Sequence, residues 1–309
     1  FVHDVGSYAT LRFIAGIGLA GELGAGITLV SEMMPKETRA YGTTIVSVVG
    51  ILGAVVAALI GDLFDWRVAY FVGGALGIGL LLLRIKANES GMFTQLKSSE
   101  IKRGSLLLVF SSLPNIMKYL RCIFIGIPLW FVIGILVTFS PEFGKALHMP
   151  QTPEASKAIM FAYIGLSIGS LASGFLSQIW QSRKKAVAVF MLLNMFFIGL
   201  YLFYPQSSLG VFYLFCLGLG IASGYWAVFV TIAAEQFGTN IRSTVATTVP
   251  NFVRGAVVPL TLSFQALKAS VGIINAGWIL ALFCIVIAFI SLAGLDETHG
   301  KDLDYLEGH

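Results

Sequence analysis

Nine apolar runs of about bilayer-crossing length constrain this chain more than any other feature of its sequence. They cover 8–33, 42–61, 67–85, 117–139, 155–180, 186–204, 209–234, 244–267 and 271–294. A helix rises about 1.5 Å per residue, so about 20 residues cross the hydrocarbon core with every backbone N–H and C=O bonded internally. Composition agrees, since 57% of the 309 residues are hydrophobic and 12% charged, with a mean hydropathy of +0.85. A globule of this size cannot bury that much apolar surface in one core. The sequence therefore predicts an all-α integral membrane protein and excludes a disordered chain or an ordinary water-soluble enzyme.

The formal net charge of +4 is spread between the apolar runs rather than clustered, which argues against nucleic acid as a partner and for the lipid bilayer. Cytoplasmic loops keep an excess of Lys and Arg. If the connection after the first run is cytoplasmic, the inner loops hold Lys36, Arg39, Lys86, Lys97, Lys102, Arg103, Arg183, Lys184, Lys185, Arg242 and Lys301, and the outer loops only Lys145 and Lys268. Cys122, Cys216 and Cys284 lie far apart inside apolar runs and read as small core residues. The four histidines fall in loops or tails, so no metal-ligand pattern and no cofactor is expected.

An internal repeat organises the runs. Gly21, Glu32 and Arg39 recur, 203 residues on, as Gly224, Glu235 and Arg242. The first triplet closes run one and the second closes run seven, so the repeating unit is six spans, an arrangement found in transporters built from two parallel halves. Nine runs then read as three spans of one half and all six of the other, out of an expected twelve.

Four motifs give this arrangement a family resemblance. Glu32-Met-Met-Pro35-Lys-Glu-Thr-Arg39-Ala-Tyr-Gly42 and its copy Glu235 to Arg242 resemble the signatures that follow spans four and ten of the major facilitator superfamily. Gly174 to Lys185 is similar to its short basic loop between spans eight and nine, with Gln178 where an acidic residue often stands. Glu297-Thr-His299-Gly300 is similar to the end of sugar porters, with Asp296 and His299 in place of Pro and Lys. Gly21-Glu22-Leu-Gly24, and Arg84 followed by Glu89, Ser90 and Phe93, look more like the metabolite:proton symporter branch. The resemblance implies a major-facilitator-type helical bundle comprising spans four to twelve, with the three amino-terminal spans missing. It divides the chain into 1–85, the remainder of the first bundle; 86–116, a cytoplasmic linker; 117–295, the second bundle; and 296–309, a cytoplasmic tail. It also implies a monomer in a bacterial inner membrane.

Charges inside the runs mark candidate function, because each costs about 2.5–3.5 kcal/mol at the bilayer centre on insertion scales. Glu22 and Arg254 are the deep ones. A carboxyl can discharge itself by binding a proton, so Glu22 is the candidate proton carrier. A guanidinium keeps its charge and suits a carboxylate bidentately, so Arg254 is the candidate substrate anchor, with Asn251, Tyr225, Trp226 and Trp130 lining the cavity. A structural ion pair is the alternative for both charges. Glu32, Arg39, Glu235, Arg242 and Arg183 are the candidate cytoplasmic gate or latch. The expected function is secondary transport of a small polar metabolite by alternating access, as proton symport of an organic anion or zwitterion. The alternatives are a sugar-porter-like carrier of a neutral solute, a membrane sensor and a membrane-embedded enzyme. The last lacks any nucleophile and base or ligand cluster in a span.

Overall fold

The computed structural model describes residues 2, 4–20, 22–35, 38–84, 104–205, 208–301 and 305–307. Residues 85–103, which include most of the expected linker 86–116, Gly21, and the side chains of Glu32 and Arg39 therefore lie outside the described residues. The chain runs through α1 (Val5–Ala20), α2 (Glu22–Met33), α3 (Arg39–Leu63) and α4 (Trp66–Arg84). After the linker come α5 (Leu113–Phe131), a π-helical turn (Val132–Val137), the short α6 (Ser140–Ala146), α7 (Ala155–Ile179) and α8 (Arg183–Phe203). Then follow α9 (Leu209–Ala222), a 3₁₀ turn (Ser223–Tyr225), α10 (Trp226–Glu235), α11 (Thr239–Gly255), α12 (Val257–Val271) and α13 (Ile273–Ala293). No strand occurs among the described residues.

Local sequence sets the helix starts. The hydroxyls of Ser112, Ser182 and Ser208 accept from the backbone N–H groups of Asn115, Lys185 and Val211, filling the first-turn donors of α5, α8 and α9. Leu113 opens α5 four residues before the expected 117, because that cap and Pro114 make a helix start there.

Eight described stretches are long and apolar enough to cross a membrane. The ninth expected run, 244–267, is instead two consecutive helices, α11 and α12, meeting at Ala256. The first, Thr239–Gly255, carries Asn240, Arg242, Thr244, Thr247, Thr248, Asn251 and Arg254, too many polar groups for a lipid-facing span. It is polar because one face is turned inward, burying Asn240, Arg242, Val245, Val249 and Val253.

Packing in the second half is tightest between α7 and α9. A Cβ on Gly169 would fall 2.0 Å from the Ile221 carbonyl oxygen, and one on Gly220 2.0 Å from that of Ala162, so only glycine lets these backbones touch. The 3₁₀ turn interrupting α9 and α10 frees backbone groups inside the bundle. Ser173 Oγ satisfies one of them, donating to the Gly224 carbonyl at 2.9 Å.

The first four helices meet the rest mainly through α2 and α3, which lie against α7, α10 and α11. These contacts gather toward one end, where α2 ends and α3 begins. The Thr231 and Thr43 hydroxyls hydrogen-bond at 3.1 Å, the Tyr41 and Phe175 rings lie 5.6 Å apart, and Gly174 sits against Thr44. Burial along α3 falls away after Ile51, and its remaining turns are largely exposed.

Beyond α13 the chain folds back beneath the same end. The Asn240 side chain pairs with the Glu307 backbone in both directions, at 3.0 and 3.1 Å, and Thr239 N–H donates to the Tyr305 carbonyl at 2.8 Å. The Glu307 carboxylate accepts from Asn115 at 3.2 Å and lies 3.7 Å from Lys118 Nζ.

Candidate functional site

Arg254 stands in the last turn of α11, three residues beyond Asn251, so the two share a face. Arg254 Nη1 donates to Asn251 Oδ1 at 3.3 Å, while Asn251 Nδ2 donates to the carbonyls of Thr247 and Ala20, both at 2.7 Å. The bond to Ala20 crosses between the two halves and ends two residues from the half-buried Glu22, which opens α2. Closer to the latch end, a Cβ on Gly24 would fall 2.5 Å from Thr247 Cα. The glycine is what lets α2 approach α11 there.

Two indoles flank the cation. The Arg254 guanidinium carbon lies 5.4 Å from the Trp226 ring and 5.7 Å from the Trp130 ring, and the indoles meet edge to face at 6.2 Å. Desolvated cation–π contacts of this kind are worth up to about 2 kcal/mol each. Trp226 follows directly on the 3₁₀ turn and stacks at a tilt on Phe229, 5.3 Å away, while Trp130 lies just before the π-helical turn. Tyr163 of α7 comes within electrostatic reach of Arg254. The arrangement presents a permanent cation, with most of its N–H donors unused by Asn251, beside flat apolar faces. Chemically it suits a carboxylate attached to a compact planar group.

Tyr225 does not join this group. It is completely buried, and its hydroxyl donates to the Ile125 carbonyl at 3.0 Å, tying the 3₁₀ turn to α5.

At the end where α2 closes, Arg183 and Glu235 form a bidentate ion pair, Nε to Oε2 at 2.7 Å and Nη2 to Oε1 at 3.0 Å, with both side chains 2% exposed. This pair joins the first residue of α8 to the last of α10, within the second half. Arg242 is fully buried and donates to Thr239 Oγ1 at 3.2 Å. Glu297 completes the network, and its motif offered only a family likeness as a clue. Its carboxylate accepts from Ser182 Oγ at 2.5 Å and from the backbone N–H groups of Arg183, Lys184 and His299 at 2.9, 3.2 and 3.0 Å. Burial alone would raise its pKa, but these donors outweigh burial and hold it below the ordinary carboxylate value. Neither Glu307 nor Asn240 stood out in the sequence, since each is a common polar residue whose role comes from the returning tail.

Residues 1–258 match the family model described as the Major Facilitator Superfamily. The chain belongs to the major facilitator superfamily. It is 25% identical to the niacin transporter NiaP of Acinetobacter baylyi, over 95% of this chain and 74% of that protein. It is also 25% identical to the inner membrane metabolite transport protein YhjE of Escherichia coli, over 94% of this chain and 69% of the relative. The benzoate transport protein of A. baylyi is 25% identical over 91% of this chain and 64% of its own length. As a major facilitator protein the chain is a transporter of small organic metabolites, not an enzyme, and a multi-pass protein of a bacterial inner membrane. In this major facilitator chain the expected Arg254, Asn251, Trp130 and Trp226 come together across α5, α10 and α11, and Glu22 follows, two residues on, the Ala20 carbonyl to which Asn251 donates.

Proposed function

We propose that this major facilitator protein is a proton-coupled symporter of a small organic anion or zwitterion, with Arg254 as the carboxylate anchor and Glu22 as the proton carrier. The observation that carries this reading is the placing of Arg254 across two indoles, with Asn251 binding it to the junction that holds Glu22. A guanidinium in the membrane needs an anion. When Glu22 is protonated, it no longer competes for that role, and a substrate carboxylate takes it. Proton loading and substrate loading then share one cation. Two relatives named for benzoate and niacin, both carboxylic acids of compact planar rings, support the same class. A sugar would want many hydrogen-bonding side chains, whereas this site is walled by rings and its one amide is already engaged.

In this account 1–85 and 117–295 act as two bodies, with 86–116 as a cytoplasmic linker and 296–309 as a cytoplasmic tail. The latch end is the cytoplasmic end, and the described conformation is closed there. Alternating access requires the Thr43–Thr231 and Gly24–Thr247 contacts to part.

The test is proton linkage. Titration calorimetry of benzoate into the purified chain in lipid nanodiscs, repeated in buffers of different ionisation enthalpy, reads the protons taken up per anion bound. Wild type is expected to take up protons with the anion and Glu22→Gln to take up none. Benzoate binding with no proton uptake by wild type would refute the coupling.

A further inference from the structure

Asn251 spends its whole amide. Nδ2 gives one N–H to the Thr247 carbonyl of its own helix and the other to the Ala20 carbonyl of α1, both at 2.7 Å, and Oδ1 accepts from Arg254 Nη1 at 3.3 Å. Chemistry fixes which way the amide points: carbonyls only accept and a guanidinium only donates, so the flipped amide would lose all three bonds. No N–H is left over for a ligand. The amide is instead a link, with the intramembrane cation at one end and α1 at the other.

Its place gives the link leverage. Ala20 and Gly24 are four residues apart, as are Thr247 and Asn251, and the two pairs meet in reverse order. A Cβ on Gly24 would fall 2.1 Å from Thr247 Oγ1, so the helices touch about one turn from the bond between Ala20 and Asn251. Alternating access has to open this seam. Whatever holds or releases the Asn251 amide therefore acts directly on the seam, and Arg254 is what holds its oxygen.

We infer that Asn251 is a positioning residue that transmits the state of Arg254 to the seam where α1 and α2 meet α11. With Arg254 on Oδ1, the amide plane is fixed and its second N–H stays on Ala20. An anion that takes the guanidinium removes that brace, the amide is free to turn, and the bond to Ala20 weakens. Anion arrival thus loosens the contact that must part. The linkage between Arg254 and the seam follows from the geometry, whereas its release by an anion rests on the carboxylate-anchor reading of Arg254.

The test reads seam closure as the rate of disulfide formation in the purified chain carrying Thr43→Cys and Thr231→Cys, in lipid nanodiscs. Asn251→Leu keeps the side-chain size but makes no hydrogen bond, and Arg254→Met removes the cation. Each alone is expected to slow cross-linking about fivefold, the effect of losing one hydrogen bond. Together they are expected to slow it no further, since both act through the same bond. Benzoate is expected to slow it severalfold in the parent and not at all with Asn251→Leu. If leucine unfolds the chain, Asn251→Ala repeats the comparison. Additive losses, no loss in either single variant, or a benzoate effect that survives the loss of the amide would overturn the inference and leave Asn251 to packing. Non-additive losses with no benzoate effect in the parent would keep the linkage through Asn251 and overturn only the anchoring of a carboxylate by Arg254.

Discussion

Arg183 and Glu235 show how burial converts an ordinary surface pairing into a structural commitment. Removing one partner of such a pair strands the other charge, which costs about 3–5 kcal/mol where both are buried. Glu235→Gln and Arg183→Gln are therefore each expected to lower the thermal midpoint of the protein in lipid nanodiscs sharply, and the charge-swapped double variant to recover part of the loss. Full stability in both single variants would show that the pair is solvated. Arg254, Glu22 and Arg183 were legible because a charge within or beside an apolar run is costly and rare. The partner of Glu235 was not, since the spacing to Arg242 drew attention along the chain while the actual contact comes from α8, 52 residues back. Tyr225 was legible as a polar aromatic in a span, but only the fold shows its hydroxyl tied to a backbone carbonyl rather than facing a ligand.

Helices carry information that single residues do not. Length and composition located the eight stretches able to cross a membrane but read α11 and α12 as one further span, and the interruptions at Ser223–Tyr225 and Val132–Val137 depend on tertiary groups that satisfy the freed backbone. The Tyr201 hydroxyl on the Leu136 carbonyl at 2.8 Å is one such group. Glu297 acts at this scale too, as an acceptor for the first N–H groups of α8, where an anion also meets the positive end of the helix dipole. Its carboxyl is held below the ordinary value in the folded protein, so the stability it contributes is present above the unfolded value near 4.5 and is lost as pH falls through the folded one. Since the group is about half exposed, the effect is discounted to about 1 kcal/mol, or roughly 2–4 °C in thermal midpoint. Glu297→Gln is expected to melt below wild type at pH 7 and to converge with it toward pH 3. A gap that stays constant across that range would mean that the carboxylate charge does not matter.

Among the described residues, the first four helices meet the rest mainly through α2 and α3. That arrangement makes a direct prediction for the seam: cysteines replacing Thr43 and Thr231, whose hydroxyls lie 3.1 Å apart, should cross-link readily under mild oxidation. The native Cys122, Cys216 and Cys284 are free and buried, so background reaction is expected to be low. Failure of the pair to cross-link would mean that this end is open most of the time. Gly24→Val should act oppositely, because its side chain would run into the Thr247 backbone and push the bodies apart; cross-linking in that background is expected to fall severalfold.

If Arg254 anchors an anionic group of the substrate within the membrane, charge on the ligand governs its affinity. Comparing the affinity of the purified chain for benzoate and for benzamide, before and after Arg254→Lys, tests it most directly. The two ligands share ring and size and differ in charge, and lysine keeps the positive charge but lacks the planar fork. Wild type is expected to prefer benzoate by tenfold or more, and Arg254→Lys to lower benzoate affinity about tenfold while leaving benzamide unchanged. Equal affinity for acid and amide in wild type, or benzoate binding unaltered by the substitution, would contradict it.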